Sequence, residues 1–197
     1  MRRFIALLAL AFAAMTAPAA AQTPQTASVI LAGGCFWCME LPYDKTDGVL
    51  STTSDYSGGN TANPTYEAVS AGSTGHIEVV KVEYDPTKIS YEKLLDIFWP
   101  NIDPLDPAGQ FCDKGSQYRS AIFYGNEKEK ELAEASKKLI AGKLGQAVVT
   151  EILPAAQFYP AEDYHQDYYE KNPLKYKFYR FGCGRDARLE TLWGAKK

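Results

Sequence analysis

The stretch Ser28-Val29-Ile30-Leu31-Ala32-Gly33-Gly34-Cys35-Phe36-Trp37-Cys38-Met39-Glu40 compresses a strand, a turn and a helix start into a few residues. Ser28 to Ala32 reads as a short buried strand, and the paired glycines permit a tight turn in which backbone comes close to a ligand. Cys35 then opens a helix. A thiolate there faces unpaired backbone N–H groups and the positive end of the helix dipole, which lowers a thiol pKa and makes Cys35 the first candidate nucleophile.

The helix expected from about Phe36 runs to Lys45, where Thr46-Asp47-Gly48 breaks the pattern. Val49 to Tyr56 reads as a second strand, and a loop rich in Gly, Asn and Pro leads to a helical turn over Tyr66 to Val69. His76 to Tyr84 alternates as a strand, and Ser90 caps a helix reaching Trp99. Pro100, Pro104 and Pro107 forbid regular structure in the next stretch, a long loop that carries Cys112-Asp113-Lys114-Gly115. A loop of that length inside a compact domain points to function.

Beyond it the pattern gives a strand at Tyr118 to Tyr124, a charged helix at Glu127 to Ala141, a strand at Ala147 to Leu153 and a helix at Pro160 to Lys171. Short strands alternating with helices, some joined too briefly for parallel crossovers, predict an α+β fold. The expected architecture is a ferredoxin-like mixed two-layer sandwich with long loops and an irregular C-terminal tail from Pro173 onward.

Glu78 breaks the pattern of its strand. It shares a face with Val80, Val82 and Tyr84, where a carboxylate must be solvated, paired or protonated because burying it alone is expensive. The bland alternative places it at the frayed start of the strand.

Met1-Arg2-Arg3, the apolar run from Phe4 to Ala14 and the small residues Ala19-Ala20-Ala21 predict a secretory signal peptide over residues 1–21. The remaining residues, 22–197, suffice for one domain with its own core. The expectation is an exported monomer, periplasmic or secreted, without stable membrane association after cleavage. A net charge of -3 with both signs interspersed argues against a nucleic-acid partner. Thirteen tyrosines and three tryptophans exceed what a simple core requires, so some of these rings are expected at a pocket or surface.

Four cysteines in an exported chain would ordinarily form two structural disulfides. A Cys35–Cys38 bond closes a tiny loop and stabilises little, which points to redox chemistry instead. Zinc is an alternative, drawing on the cysteines with His76 and His165, but Cys112 and Cys183 are solitary and give no second closely spaced pair. A thioredoxin-type thiol–disulfide oxidoreductase remains open as an alternative, as does a disulfide-stapled binding module. Phe36 and Trp37 make a poor docking surface for a protein disulfide and a good pocket for a small apolar group.

Several motifs in fixed order resemble the A-type peptide methionine sulfoxide reductases. They are the Cys35-Phe36-Trp37-Cys38 segment, Asn63-Pro64-Thr65-Tyr66, Gly75-His76-Ile77-Glu78, Tyr84-Asp85-Pro86, Gly115 to Ala121 and Tyr164-His165-Gln166. The resemblance implies that Cys35 attacks the sulfoxide sulfur while Glu78, kept protonated, gives its proton to the departing oxygen. It assigns hydrogen bonds to the substrate oxygen to Tyr66 and Tyr118, a catalytic-site role to Asp113, and methyl binding to Phe36 and Trp37. It further implies the S epimer of methionine sulfoxide, free or in proteins, as substrate, a thioredoxin or thioredoxin-like reductant, and no metal or organic cofactor. Cys38 and Cys183 are the two candidates to resolve the Cys35 sulfenic acid, Cys38 favoured by adjacency. Cys112, which departs from many family members, is expected to be a buried or partly buried bystander. His76 and His165 are expected to be structural.

Overall fold

In the computed structural model, which describes residues 26–194, the run of small and branched residues before Cys35 forms strand β1 (Ala27–Gly33). Helix α1 (Trp37–Asp44), β2 (Val49–Ser57), the short helix α2 (Tyr66–Ser70) and β3 (Ile77–Tyr84) follow. Ser90 caps α3 (Tyr91–Phe98) by accepting from the Lys93 N–H. The proline-rich stretch then carries a two-stranded ribbon of β4 (Gly109–Gln110) and β5 (Asp113–Lys114). A single 3-10 turn at Ser116–Tyr118 leads into β6 (Ser120–Tyr124), and Asn126 caps the long α4 (Glu127–Leu144). The signal-peptide expectation for residues 1–21 lies outside the described residues.

The sheet order explains the architecture. With β7 (Glu151–Pro154) and β8 (Phe158–Pro160) at its edges, it runs β7-β6-β1-β3-β2-β8. Its four central strands pair antiparallel, and their order from the second strand of the list, with β1 and β2 separated by β3, is the split βαβ arrangement expected of a ferredoxin-like sandwich. Alternation then sorts the side chains. Val29, Leu31, Val80, Val82, Tyr84 and Ile122 point toward α1, α3 and α4, joining Met39, Tyr43, Leu94, Phe98 and Ala133 in the main core. The intervening residues Ile30, Ala32, Val79 and Phe123 form a second, smaller cluster on the other face.

Three expectations are corrected. The strand placed at 147–153 begins only at Glu151, and it pairs parallel to β6. The helix placed at 160–171 shrinks to α5 (Tyr168–Lys171). Pro160 belongs to β8, and the Gln166 side chain accepts from the Ser54 N–H at 2.8 Å while its amide donates to Ser54 O and Ala161 O, which holds 161–167 as an ordered turn. The tail is not irregular. It forms α6 (Pro173–Gly182) and α7 (Arg185–Trp193), with Pro173 at the first position of α6 and Gly184 in the left-handed region, φ 67°, at the corner between them.

Cys112 is likewise no buried bystander: it is exposed and disulfide-bonded to Cys183, 71 residues away. The bond fastens the end of α6 to the β4–β5 ribbon. Closing a loop of that size removes chain entropy from the unfolded state. Cys183→Ser is therefore expected to lower the folding free energy by about 2–4 kcal/mol in non-reducing urea titrations; an unchanged midpoint would exclude the pairing in solution.

Candidate active site

Gly34 lies at φ 80°, and a Cβ there would fall 2.5 Å from Gln110 Cβ, so only glycine lets the chain turn from β1 into α1 against the ribbon. This places Cys35 just ahead of Phe36, the residue that caps α1. The Glu78 side chain arrives from the neighbouring strand. It lies inside β3 rather than at a frayed end, 1% exposed, with the Phe36 N–H donating to its Oε2 at 3.2 Å. Among the described residues no cation pairs with it. Burial raises its pKa from 4.5 to about 8, with Asp113 and Cys38 adding to the rise and the Phe36 N–H opposing it. Glu78 thus holds its proton at neutral pH.

Cys35, Phe36, Trp37, Tyr66, Glu78, Asp113 and Tyr118 line one cleft, together with Tyr179 from α6. Every residue proposed for nucleophile, acid, aspartate, tyrosine or ring is brought there, from β1's end, α1, α2, β3, β5 and the 3-10 turn. Tyr66 heads α2, and its backbone N–H donates to Glu162 Oε1 at 2.9 Å. Burial pushes its hydroxyl up to about 12 and raises that of Tyr118 as well, so both remain donors. Trp37 is fixed on two sides: its ring stacks on Tyr168 at 3.8 Å and its Nε1–H donates to His165 Nδ1 at 3.0 Å. That bond puts the His165 proton on Nε2, and burial lowers the histidine pKa, keeping it neutral.

His165 therefore orients the indole. His76 is a loop tie, accepting from Gly59 N–H with Nδ1 and meeting Thr61 O with Nε2.

The thiols overturn the electrostatic expectation for Cys35. Its pKa is raised, not lowered, and burial is the main cause; Cys38 and Glu78 raise it further, while the Tyr179 hydroxyl, which can donate to the thiolate once it forms, opposes the rise. The N–H of the capping residue Phe36 is spent on Glu78, and the helix is only eight residues long with Pro42 inside it, so the dipole does not offset burial. Cys38 is the more acidic of the pair, lowered to about 6 by its hydrogen bond with Cys35, then by Arg185 and Arg180, against burial. Cys38 is 1% exposed, in the first turn of α1, while Cys183 is held in the bond to Cys112. Among the described residues Cys35 and Cys38 are the free cysteines.

Tyr179 and Arg185 were missed by reading the tail as irregular. The buried Arg185 sends Nη2 to Asn101 O at 2.6 Å and Gly33 O at 3.1 Å, anchoring the tail beneath the Cys35 turn. Helical spacing within Pro173 to Gly182 was the available signal, obscured by the Tyr and Gly content.

The family model "Peptide methionine sulfoxide reductase" matches residues 27–197. A relative of that name from Bacillus licheniformis, designated MsrA, is 52% identical over 167 residues, covering 84% of this chain and 92% of the relative. Among solved structures, Mxr1 from Saccharomyces cerevisiae in reduced form is similar at a TM-score of 0.71 and 36% identity, covering 76% of this chain and 87% of that one. Mxr1 from the same organism in complex with Trx2 is similar at a TM-score of 0.53 and 25% identity, over 77% and 90% of the two chains.

Proposed function

The chain belongs to the peptide methionine sulfoxide reductase family, and from that premise we infer that it is a thiol-dependent reductase converting methionine S-sulfoxide, free or in proteins, to methionine. The observation that carries the reading is a buried, protonated carboxyl facing a cysteine across a cleft lined by hydroxyls and rings. Cys35 attacks the sulfoxide sulfur, Glu78 donates its proton to the leaving oxygen, and Tyr66 and Tyr118 hydrogen-bond that oxygen as its charge grows. Phe36 and Trp37 receive the methyl group. Asp113 completes the polar wall.

Methionine departs and leaves Cys35 as a sulfenic acid, which Cys38 resolves with loss of water to a Cys35–Cys38 disulfide. Adjacency, the low Cys38 pKa and the engagement of Cys183 with Cys112 support this assignment. A thioredoxin-type dithiol protein returns the electrons, a reading supported by the Mxr1 complex with Trx2. Export is supported by the N-terminal pattern and by a long-range disulfide, at home in an oxidising compartment.

One equivalent of methionine S-sulfoxide added to the dithiol form should give one methionine and a new Cys35–Cys38 link in a peptide map. Cys38→Ser should still release that methionine once, then stall with sulfenic acid at Cys35; sustained turnover of this variant with thioredoxin would reassign the resolving thiol. Cys183→Ser should keep turning over.

A further inference from the structure

The roles above leave Tyr179 without a task, although its hydroxyl lies between two groups of the site. It donates to Asp113 Oδ2 at 2.5 Å, and it shares the cleft with the Cys35 thiol, which acts on it electrostatically. Its ring stands edge-on to Trp37, centroids 5.6 Å apart, and all four residues line the same cleft. A phenol has one proton. With that proton given to Asp113, the Tyr179 oxygen can meet Cys35 only as an acceptor of the S–H, and the three side chains form a chain from sulfur to carboxylate.

The surrounding covalent structure holds this chain in place. Cys112 immediately precedes Asp113, and Cys183 lies one helical turn after Tyr179; the bond between the two cysteines, Cα–Cα 4.9 Å, therefore ties both ends of the Tyr179–Asp113 hydrogen bond together. Arg180 Nε donates to both carboxylate oxygens of Asp186 at 3.0 and 3.1 Å and steadies the corner between α6 and α7.

Attack requires that Cys35 lose its proton. The ionisable groups acting on its sulfur are Cys38, Glu78 and Tyr179, together with Tyr66 and Tyr118, whose hydroxyls serve as donors to the substrate oxygen. Glu78 already carries a proton and must give one away, which leaves Cys38 and Tyr179 as routes. Tyr179 leads to Asp113, whose charged neighbours are Arg185 and Lys114.

We propose that Tyr179 is a catalytic residue that carries the Cys35 proton to Asp113. The S–H bond breaks as the Tyr179 oxygen takes that proton, and the proton Tyr179 held passes to Asp113 Oδ2. The sulfur is left as a thiolate facing a tyrosine O–H donor, and its electron pair goes to the sulfoxide sulfur. The Glu78 proton goes to the departing oxygen, and the proton stored on Asp113 restores the site's charge when water leaves during disulfide formation. The proposal rests on the sulfoxide reductase reading.

The test is the rate of methionine formation in the first turnover of the full protein, without external reductant. Tyr179→Phe keeps the ring and its contact with Trp37, so it is expected to slow that turnover about 10- to 100-fold with the substrate concentration for half-maximal rate changed less than about twofold. Asp113→Asn should lose a similar factor, and the double variant should be no slower than the slower single one, as for two members of one chain. A Tyr179→Phe rate within about twofold of the parent would assign the proton to Cys38 and overturn the proposal. Losses that multiply in the double variant would overturn it too. A parent that forms no methionine would sink the sulfoxide reductase reading itself, an outcome distinct from either.

Discussion

Cys35→Ser is expected to reduce turnover at least ~10⁴-fold, to background, under every reductant. The reaction needs an atom that first gives an electron pair to sulfur, then carries oxygen, and finally releases it as water when a second thiol attacks. A serine oxygen can do none of the last two steps, and its hydroxyl is far less acidic than a thiol in the same buried place. The loss is chemical rather than structural. Cys35 is 6% exposed at the turn between β1 and α1, and Ser differs from it by one atom, so melting should shift little. Thiol titration of the unfolded, non-reduced protein should fall from two groups to one, Cys38, with Cys112–Cys183 intact. Residual turnover above background would place the nucleophile elsewhere.

What was legible in the sequence follows a physical pattern. The strand before Cys35 and the alternation of β3 are local signals, readable at a period of two, and they placed Glu78 on the core face before any geometry was available. The elements joined by short connections gave the ferredoxin-like order. The cleft itself is assembled from α1, α2, β3, β5 and α6, and no spacing rule connects Cys35 to Asp113 or Tyr179. Its residues were gathered by motif resemblance, which reaches Asp113 and Tyr118 but not Tyr179.

Two kinds of information were absent. Tertiary electrostatics reversed the shift expected for the Cys35 thiol: the helix start does offer N–H groups, but Glu78 claims that of the cap residue Phe36, and burial of the sulfur outweighs the rest. Long-range covalent pairing was equally invisible. Cys112 and Cys183 are solitary in sequence and meet only because α6 folds back over the β4–β5 ribbon. Where the chain used side chains as substitute backbone, as Gln166 does against Ser54, a helical pattern was misread.

Glu78→Gln should slow the first turnover about 10²- to 10⁴-fold, the range for a lost general acid. Gln fills the same volume and can still hydrogen-bond the substrate oxygen, but it has no proton to transfer, so binding should survive better than rate. The pH dependence sharpens the test. The parent needs Glu78 protonated, and its pKa is raised to about 8, so methionine formation should fall as pH climbs through about 8. That limb should be missing in Glu78→Gln. Stability must show the same group with a definite sign. The native state keeps the Glu78 proton from 4.5 to about 8 while the unfolded chain releases it, so its contribution is fully present below about 4.5 and is lost as pH rises to about 8. The glutamine variant, which has nothing to titrate there, should gain melting temperature relative to the parent between pH 5 and pH 9. A difference in melting that is flat across that interval, or a rate limb near pH 8 that survives the substitution, would mean that Glu78 is not the group that supplies the proton.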